Sequence, residues 1–198
     1  MGERGRQAER IGPRPTAADE TARLFFALWP DAAPRAALGR LAQALHQECG
    51  GRVMLTRNIH LTLVFLGDVA ASWIPDLRAL AEGIVAQRFE LAIATVNYWR
   101  HNRIVWAGPK ECPDAMQMLV ADLESALKAG DFRFDERPYA PHITLLRDAR
   151  RAPAAQTVAD IPWRIADFAL VQSLHRDNAS VYEAIQRWPL GAGKINGD

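Results

Sequence analysis

The chain has 198 residues, 49% of them hydrophobic and 24% charged, a balance that excludes disordered, collagen-like and coiled-coil chains. Its 24 Lys and Arg against 23 Asp and Glu leave a net charge of +1, so no whole-molecule field holds long nucleic acid, and an anionic partner must be gripped locally. Two cysteines, Cys49 and Cys112, form no CxxC pair and exclude a disulfide framework or a thiolate zinc cage.

Residues 1–21 are rich in Arg, Glu, Gly, Pro and Ala, too poor in large apolar side chains to offset the entropy of ordering, and read as a disordered tail. They carry charge where a secretory leader needs an apolar stretch, and no later run approaches membrane-spanning length. The expectation is a cytoplasmic protein that engages no membrane. Residues 22–198 then read as one globular domain. The run Leu24 to Trp29, ended by Pro30-Asp31, has the length and apolarity of a buried strand. Asp31 is placed to cap a helix with Pro34 in its first turn and Leu38, Leu41 and Leu45 on one face, stopped by Gly50-Gly51. Ile59 to Leu66 is a second strand ending at Gly67-Asp68, and Ile74, Leu77, Leu80, Ala81, Ile84 and Val85 outline a second helix. Phe89 to Trp99 and Arg103 to Trp106 flank a polar turn, as in a hairpin. The grammar then repeats. A helix from Asp114, with Met118, Leu119, Leu123 and Leu127 inward, stops at Gly130 and leads to a strand Pro141 to Leu146. Trp163 to Leu174 and Ser180 to Trp188 form a last hairpin around residues 176–179. Two strand-helix-strand units predict an α+β fold of two similar lobes facing each other across a groove.

Each unit carries the same string. His60-Leu61-Thr62-Leu63 and His142-Ile143-Thr144-Leu145 stand 82 residues apart. Strand alternation puts each histidine and threonine on one side and the aliphatic pair in the core. A lone HxT is expected by chance roughly once in several chains of this size, and a lone histidine in a strand is better read as a satisfied core residue. The duplication at corresponding places reverses that reading. Histidine both gives and takes protons near neutral pH, so two imidazoles flanking one phosphorus can divide the work of a phosphodiester displacement. The Thr62 and Thr144 hydroxyls suit the non-bridging oxygens, where charge grows. Arg147 falls five residues after His142, on the opposite face by strict alternation, and reaches the site only if the strand ends or bulges near Leu146. Neither motif supplies a third ligand for zinc, so no metal and no cofactor are expected.

These residues, with Arg23 to Pro30, Asn58 to Gly67, Trp106 to Pro109, Arg137 to His142 and Arg187 to Leu190, resemble the two-histidine (2H) phosphoesterases, and among them the bacterial and archaeal RNA 2′,3′-cyclic phosphodiesterases once described as 2′-5′ RNA ligases. The resemblance runs from Arg23 to Leu190. It implies a bilobal fold with pseudo-twofold symmetry, each lobe an antiparallel sheet with helices on its outer face, around a central groove. It further implies a monomer acting on RNA or oligonucleotides that end in a 2′,3′-cyclic phosphate, hydrolysed to a 2′-phosphate without metal. His60 would be the proton donor to the 3′ oxygen, His142 the proton acceptor from water, and Arg147 a phosphate contact. The same acid-base pair serves the reverse reaction, 2′-5′ ligation, and a groove of this kind could also bind RNA ends without turnover. Arg57 could reach a substrate phosphate and Trp29 and Tyr139 could stack on a base, although a solvated arginine and core aromatics are the favoured readings; Arg150 and Arg151, clustered with Arg147, suit RNA phosphates and a solvated cluster equally. His46, His101 and His175 read as surface residues.

Overall fold

The computed structural model describes residues 20–154, 157–176 and 179–191, so the N-terminal tail read from the sequence lies almost wholly outside the described residues. The first apolar run becomes β1 (Thr21–Leu28), whose last five residues are all buried, as a central strand covered on both faces requires. It feeds α1 (Ala32–Cys49), with Asp31 at the N-cap making no side-chain cap bond and Gly50, at φ +68°, donating its N–H to the His46 carbonyl. There follow β2 (Arg52–Val53), β3 (Leu61–Ala70), α2 (Ile74–Glu82), β4 (Phe89–Trp99), β5 (Ile104–Pro109), α3 (Asp114–Ala129), β6 (Ile143–Arg147), β7 (Thr157–Ile165), β8 (Asp167–Arg176) and β9 (Ala179–Pro189).

These strands form two sheets, one of four strands ordered β3-β1-β8-β9 and one of five ordered β2-β6-β5-β4-β7, every pairing antiparallel. The internal repeat is visible in the topology. In the first sheet β1 leads through α1 to its neighbour β3; in the second, β5 leads through α3 to its neighbour β6. The helices cross over: α1 leaves the four-stranded sheet and packs on β6 and β7 of the other, while α3 leaves the five-stranded sheet and packs on β3. One continuous core joins both sheets and the helices, with Leu24, Phe26, Leu38, Leu119, Leu145 and Phe168 fully buried within it. Among the described residues no helix is long and apolar enough to cross a membrane.

Four readings are corrected. The segment Trp163 to Leu174 is not one strand: it breaks at Ala166, whose carbonyl accepts from Leu190, and passes from the five-stranded sheet into the four-stranded one. An apolar run carries no mark of such a switch. Met118 is 64% exposed, and Met116 takes the buried position because the inward stripe of α3 runs 116, 119, 120, 123, 127. The second helix ends at Glu82, leaving Val85 exposed. Strand β3 continues through Gly67 to Ala70, with Gly67 at φ +72°, a conformation open to glycine without strain.

Candidate active site

Both motif strands bulge at the same place. In β3, Thr62 pairs with Ala27 and Val64 with Phe26, leaving Leu63 unpaired; in β6, Thr144 pairs with Trp106 and Leu146 with Val105, leaving Leu145 unpaired. An extra residue breaks the two-residue alternation, so Leu63-Val64 and Leu145-Leu146 are buried in succession and Phe65 and Arg147 return to the half-buried side of Thr62 and Thr144. The bulge that Arg147 needs is therefore present, one residue earlier than Leu146. Its counterpart in the other repeat is Phe65.

Neither histidine lies within a strand, as the sequence suggested; each occupies the residue before one. There the chain has not yet joined the ladder, and the imidazole folds back on the carbonyl two residues upstream: His60 Nδ1 lies 2.6 Å from the Asn58 oxygen and His142 Nδ1 2.8 Å from the Ala140 oxygen. A carbonyl only accepts, so Nδ1 carries the hydrogen in both rings and Nε2 is left for chemistry. The two sheets face each other over a groove with two arms. One arm, about 460 Å³, runs past Trp99, His101, Asp135, Arg137 and Tyr139. The other, about 660 Å³, runs past Arg23, Arg52, His60, His175 and Tyr182. They share a floor made by Thr62, Phe65, His142, Thr144 and Arg147. The sequence thus brings both HxT motifs and Arg147 to one place, and Tyr139 ties the repeats together by donating from its hydroxyl to the Thr62 carbonyl at 3.4 Å.

The profile of the 2′-5′ RNA ligase superfamily matches residues 29–177 of this chain. The chain belongs to that superfamily, a group of two-histidine phosphoesterases. The RNA 2′,3′-cyclic phosphodiesterase of Escherichia coli is 33% identical over 173 residues, covering 86% of this chain and 98% of the relative; that of Thermus thermophilus is 28% identical, covering 85% and 90%. The crystal structure of E. coli LigT with 3′-AMP superposes with a TM-score of 0.80 at 31% identity, covering 86% of this chain and 99% of that one.

In this member of the superfamily the two imidazoles differ in their surroundings. His60 is enclosed by aromatics: Trp29 stacks on it at 5.4 Å and 12°, Phe25 lies tilted at 4.9 Å, and Tyr182 meets it edge-on at 5.1 Å. His142 meets Trp99 edge-on at 4.6 Å, with Trp106 more distant at 6.4 Å. Burial pushes His60 down to about 4, against the pull of the Asn58 carbonyl and with smaller pushes from His142 and Arg147. Burial also lowers His142, opposed by the Ala140 carbonyl and aided by Arg147 and Arg137. Both rings are thus neutral in the free protein at pH 7.

Several residues of the superfamily groove escape sequence reasoning. Asn58, 2% exposed, is the sole buried polar residue among those described. Its amide nitrogen donates to the Ser180 carbonyl at 2.6 Å and its amide oxygen accepts from the Tyr182 N–H at 3.4 Å, anchoring the turn before His60 to β9. A polar amide just ahead of the motif is the available signal. Trp29, a core residue by its sequence context, proves to be the stacking partner of His60; His101 and His175 are exposed, as their sequence context indicates, and also line opposite arms. Arg57 is exposed and lines neither arm. Among the described residues no three His, Cys, Asp or Glu side chains converge as metal ligands would.

Proposed function

We propose that the chain hydrolyses RNA 2′,3′-cyclic phosphate termini to 2′-phosphates by general acid-base catalysis between two histidines. The observation that carries this reading is the twofold repetition in the groove: two imidazoles, each fixed by a carbonyl two residues upstream, each followed by a threonine on the same floor. The names of the E. coli and T. thermophilus relatives support the substrate class.

In the proposed step the phosphorus sits over Thr62 and Thr144, whose hydroxyls donate to the non-bridging oxygens as charge accumulates there. Arg147, brought inward by the bulge, offers its planar fork to the same oxygens. His142 Nε2 takes a proton from the attacking water while the P–O3′ bond breaks, and His60 Nε2 delivers a proton to the departing 3′ oxygen. The product keeps its phosphate on O2′. A neutral His142 is ready to act as the base. His60, neutral when the groove is empty, gains its proton as the substrate anion arrives, because a negative charge beside an imidazole favours the imidazolium, and the Trp29 face stacked on it favours a cation as well.

The test is incubation of the purified chain, in chelator, with an RNA oligomer ending in 2′,3′-cyclic phosphate, resolving 2′- from 3′-phosphate products. Wild type yields the 2′-phosphate, and His60→Ala and His142→Ala each lose at least about a hundredfold in kcat, the lower end of the range for a positioned acid or base. Near-normal turnover by either variant overturns the assignment of that histidine. A 3′-phosphate product reverses the leaving group, joining of the cyclic end to an added 5′-hydroxyl strand marks ligation, and tight binding without product marks a binding module.

A further inference from the structure

The two arms of the groove differ in charge as well as size. The smaller arm carries two carboxylates, Glu124 and Asp135, and the Arg137 guanidinium among its lining residues; Arg137 is ion-paired with Asp135 through both carboxylate oxygens, so that pair carries no net charge beside the Trp99 and Tyr139 rings. The larger arm has no Asp or Glu in its lining. Its cations come from both sheets: Arg23 from β1 of the four-stranded sheet and Arg52 from β2 of the five-stranded one, with Arg147 on the floor between. Arg23 rests 4.9 Å over the Phe65 ring, at the junction of the arms. Each outer arginine meets one exposed aspartate, Arg23 with Asp68 at 3.5 Å and Arg52 with Asp148 at 3.7 Å. Both pairs are solvated, with the arginine side chains 52% and 69% exposed, so surrendering them costs little, and a guanidinium has five donors to offer.

A terminal nucleotide with a 2′,3′-cyclic phosphate has only two other exits from its ribose: the base on C1′ and the chain on C5′. With the phosphorus on the shared floor, the two exits require two channels. We infer that the larger arm is the track for the RNA strand 5′ of the cyclic end, its backbone phosphates held by Arg23 and Arg52, and that the smaller, aromatic arm receives the terminal base. In the smaller arm the Arg137 guanidinium is already held by Asp135 and Glu124 adds a negative charge, whereas a base finds stacking faces there in Trp99 and Tyr139. This inference rests on the proposed reaction for its placement of phosphorus and gives the substrate a direction along the groove.

The experiment compares kcat/KM for a cyclic-phosphate oligonucleotide with that for the 2′,3′-cyclic mononucleotide, which lacks the upstream strand. Arg23→Gln/Arg52→Gln lowers the oligomer-to-mononucleotide ratio about tenfold or more and flattens the salt dependence for the oligomer by roughly 0.7 in log-log slope for each phosphate no longer neutralised. Arg40→Gln/Arg78→Gln, which removes the same charge from exposed helix positions outside the groove, leaves the ratio as in wild type. An unchanged ratio in the first variant, or a length-selective loss caused instead by Arg137→Gln in the other arm, overturns the assignment. Binding of a labelled oligomer ending in 2′-phosphate, set against the 2′-mononucleotide, gives the same comparison without turnover. If wild type hydrolyses neither cyclic substrate, the reaction proposed above fails while the Kd ratios still decide the strand track.

Discussion

Replacing Asn58 by alanine tests how the first histidine is held. The amide is 2% exposed, so water does not take its place readily, and its loss strands the Ser180 carbonyl that it meets at 2.6 Å and the Tyr182 N–H at 3.4 Å. A buried polar group left unsatisfied costs about 1–3 kcal/mol; the short bond stands near the top of that range and the long one near or below the bottom. The variant should therefore lose about 2–4 kcal/mol of stability, read as a lower urea midpoint with an unchanged m-value. Catalysis should suffer separately. The carbonyl that orients His60 belongs to the same residue, and loosening one hydrogen bond of about 1.4 kcal/mol is a tenfold loss in kcat. Activity is assayed where unfolding curves show the variant folded. Asn58→Asp sharpens the test: it keeps the acceptor but turns a carboxylate toward the Ser180 carbonyl, so it should be worse than alanine at pH 7 and recover as acid protonates it. A stability loss under about 1 kcal/mol together with wild-type kcat would refute the bracing role.

The depressed pKa of His60 has two consequences. Between pH 6.5 and 4 the unfolded chain binds a proton at this position that the folded chain refuses, so stability is complete above pH 6.5 and is lost as the pH falls. From pH 7 to 5 the loss is about 2 kcal/mol at about 1.36 kcal/mol per unit, and His60→Gln should remove that part of the slope in urea titrations at the two pH values. The second consequence is kinetic. The proposed mechanism needs His60 protonated and His142 neutral in the free enzyme, and both pKa values lie below 6.5, so kcat/KM should peak below pH 6.5 while kcat, measured with bound anion, peaks higher. A kcat/KM maximum at pH 8 would show that His60 is not the acid in this form. Gly51→Ala addresses the other repeat. Gly51 has φ +88°, and a Cβ would lie 2.6 Å from the Arg147 carbonyl and 2.8 Å from the Ala149 backbone; the backbone conformation alone costs about 1–2 kcal/mol. Thermal unfolding should show a loss of at least about 2 kcal/mol, with a KM increase because β2 pairs Arg52 against Arg147.

The helices were legible in the sequence because each depends on local signals, an apolar period and a glycine stop, and the HxT strings because they recur at matching places. Where a strand changes sheet was not legible, since Val171 and Trp163 look alike in an apolar run although they belong to different sheets. The arms of the groove were hidden for the same reason. Arg23, Arg52 and His175 lie far apart in the chain and meet only through the order β3-β1-β8-β9 and the pairing of β2 with β6. The seat of each histidine just ahead of its strand was also out of reach, because nothing in the apolar runs around the motifs marks the residue at which the ladder begins.

The bulges explain why one strand template serves two different purposes. A regular β6 would present His142 and Thr144 to the groove and turn Arg147 away; the unpaired Leu145 returns it, and the unpaired Leu63 does the same for Phe65 in β3. The repeats are therefore alike in what they hold fixed, an imidazole on a carbonyl and a hydroxyl beside it, and different at the residue the bulge delivers. Arg147 brings a charge suited to phosphate oxygens. Phe65 brings an apolar face, over which Arg23 already lies at 4.9 Å. A symmetric pair of arginines would draw an anion to the midline without preferring either histidine. With one arginine and one ring, the field at the floor is lopsided, and a phosphorus held there faces two imidazoles in unequal surroundings, which is what a reaction needing one acid and one base requires.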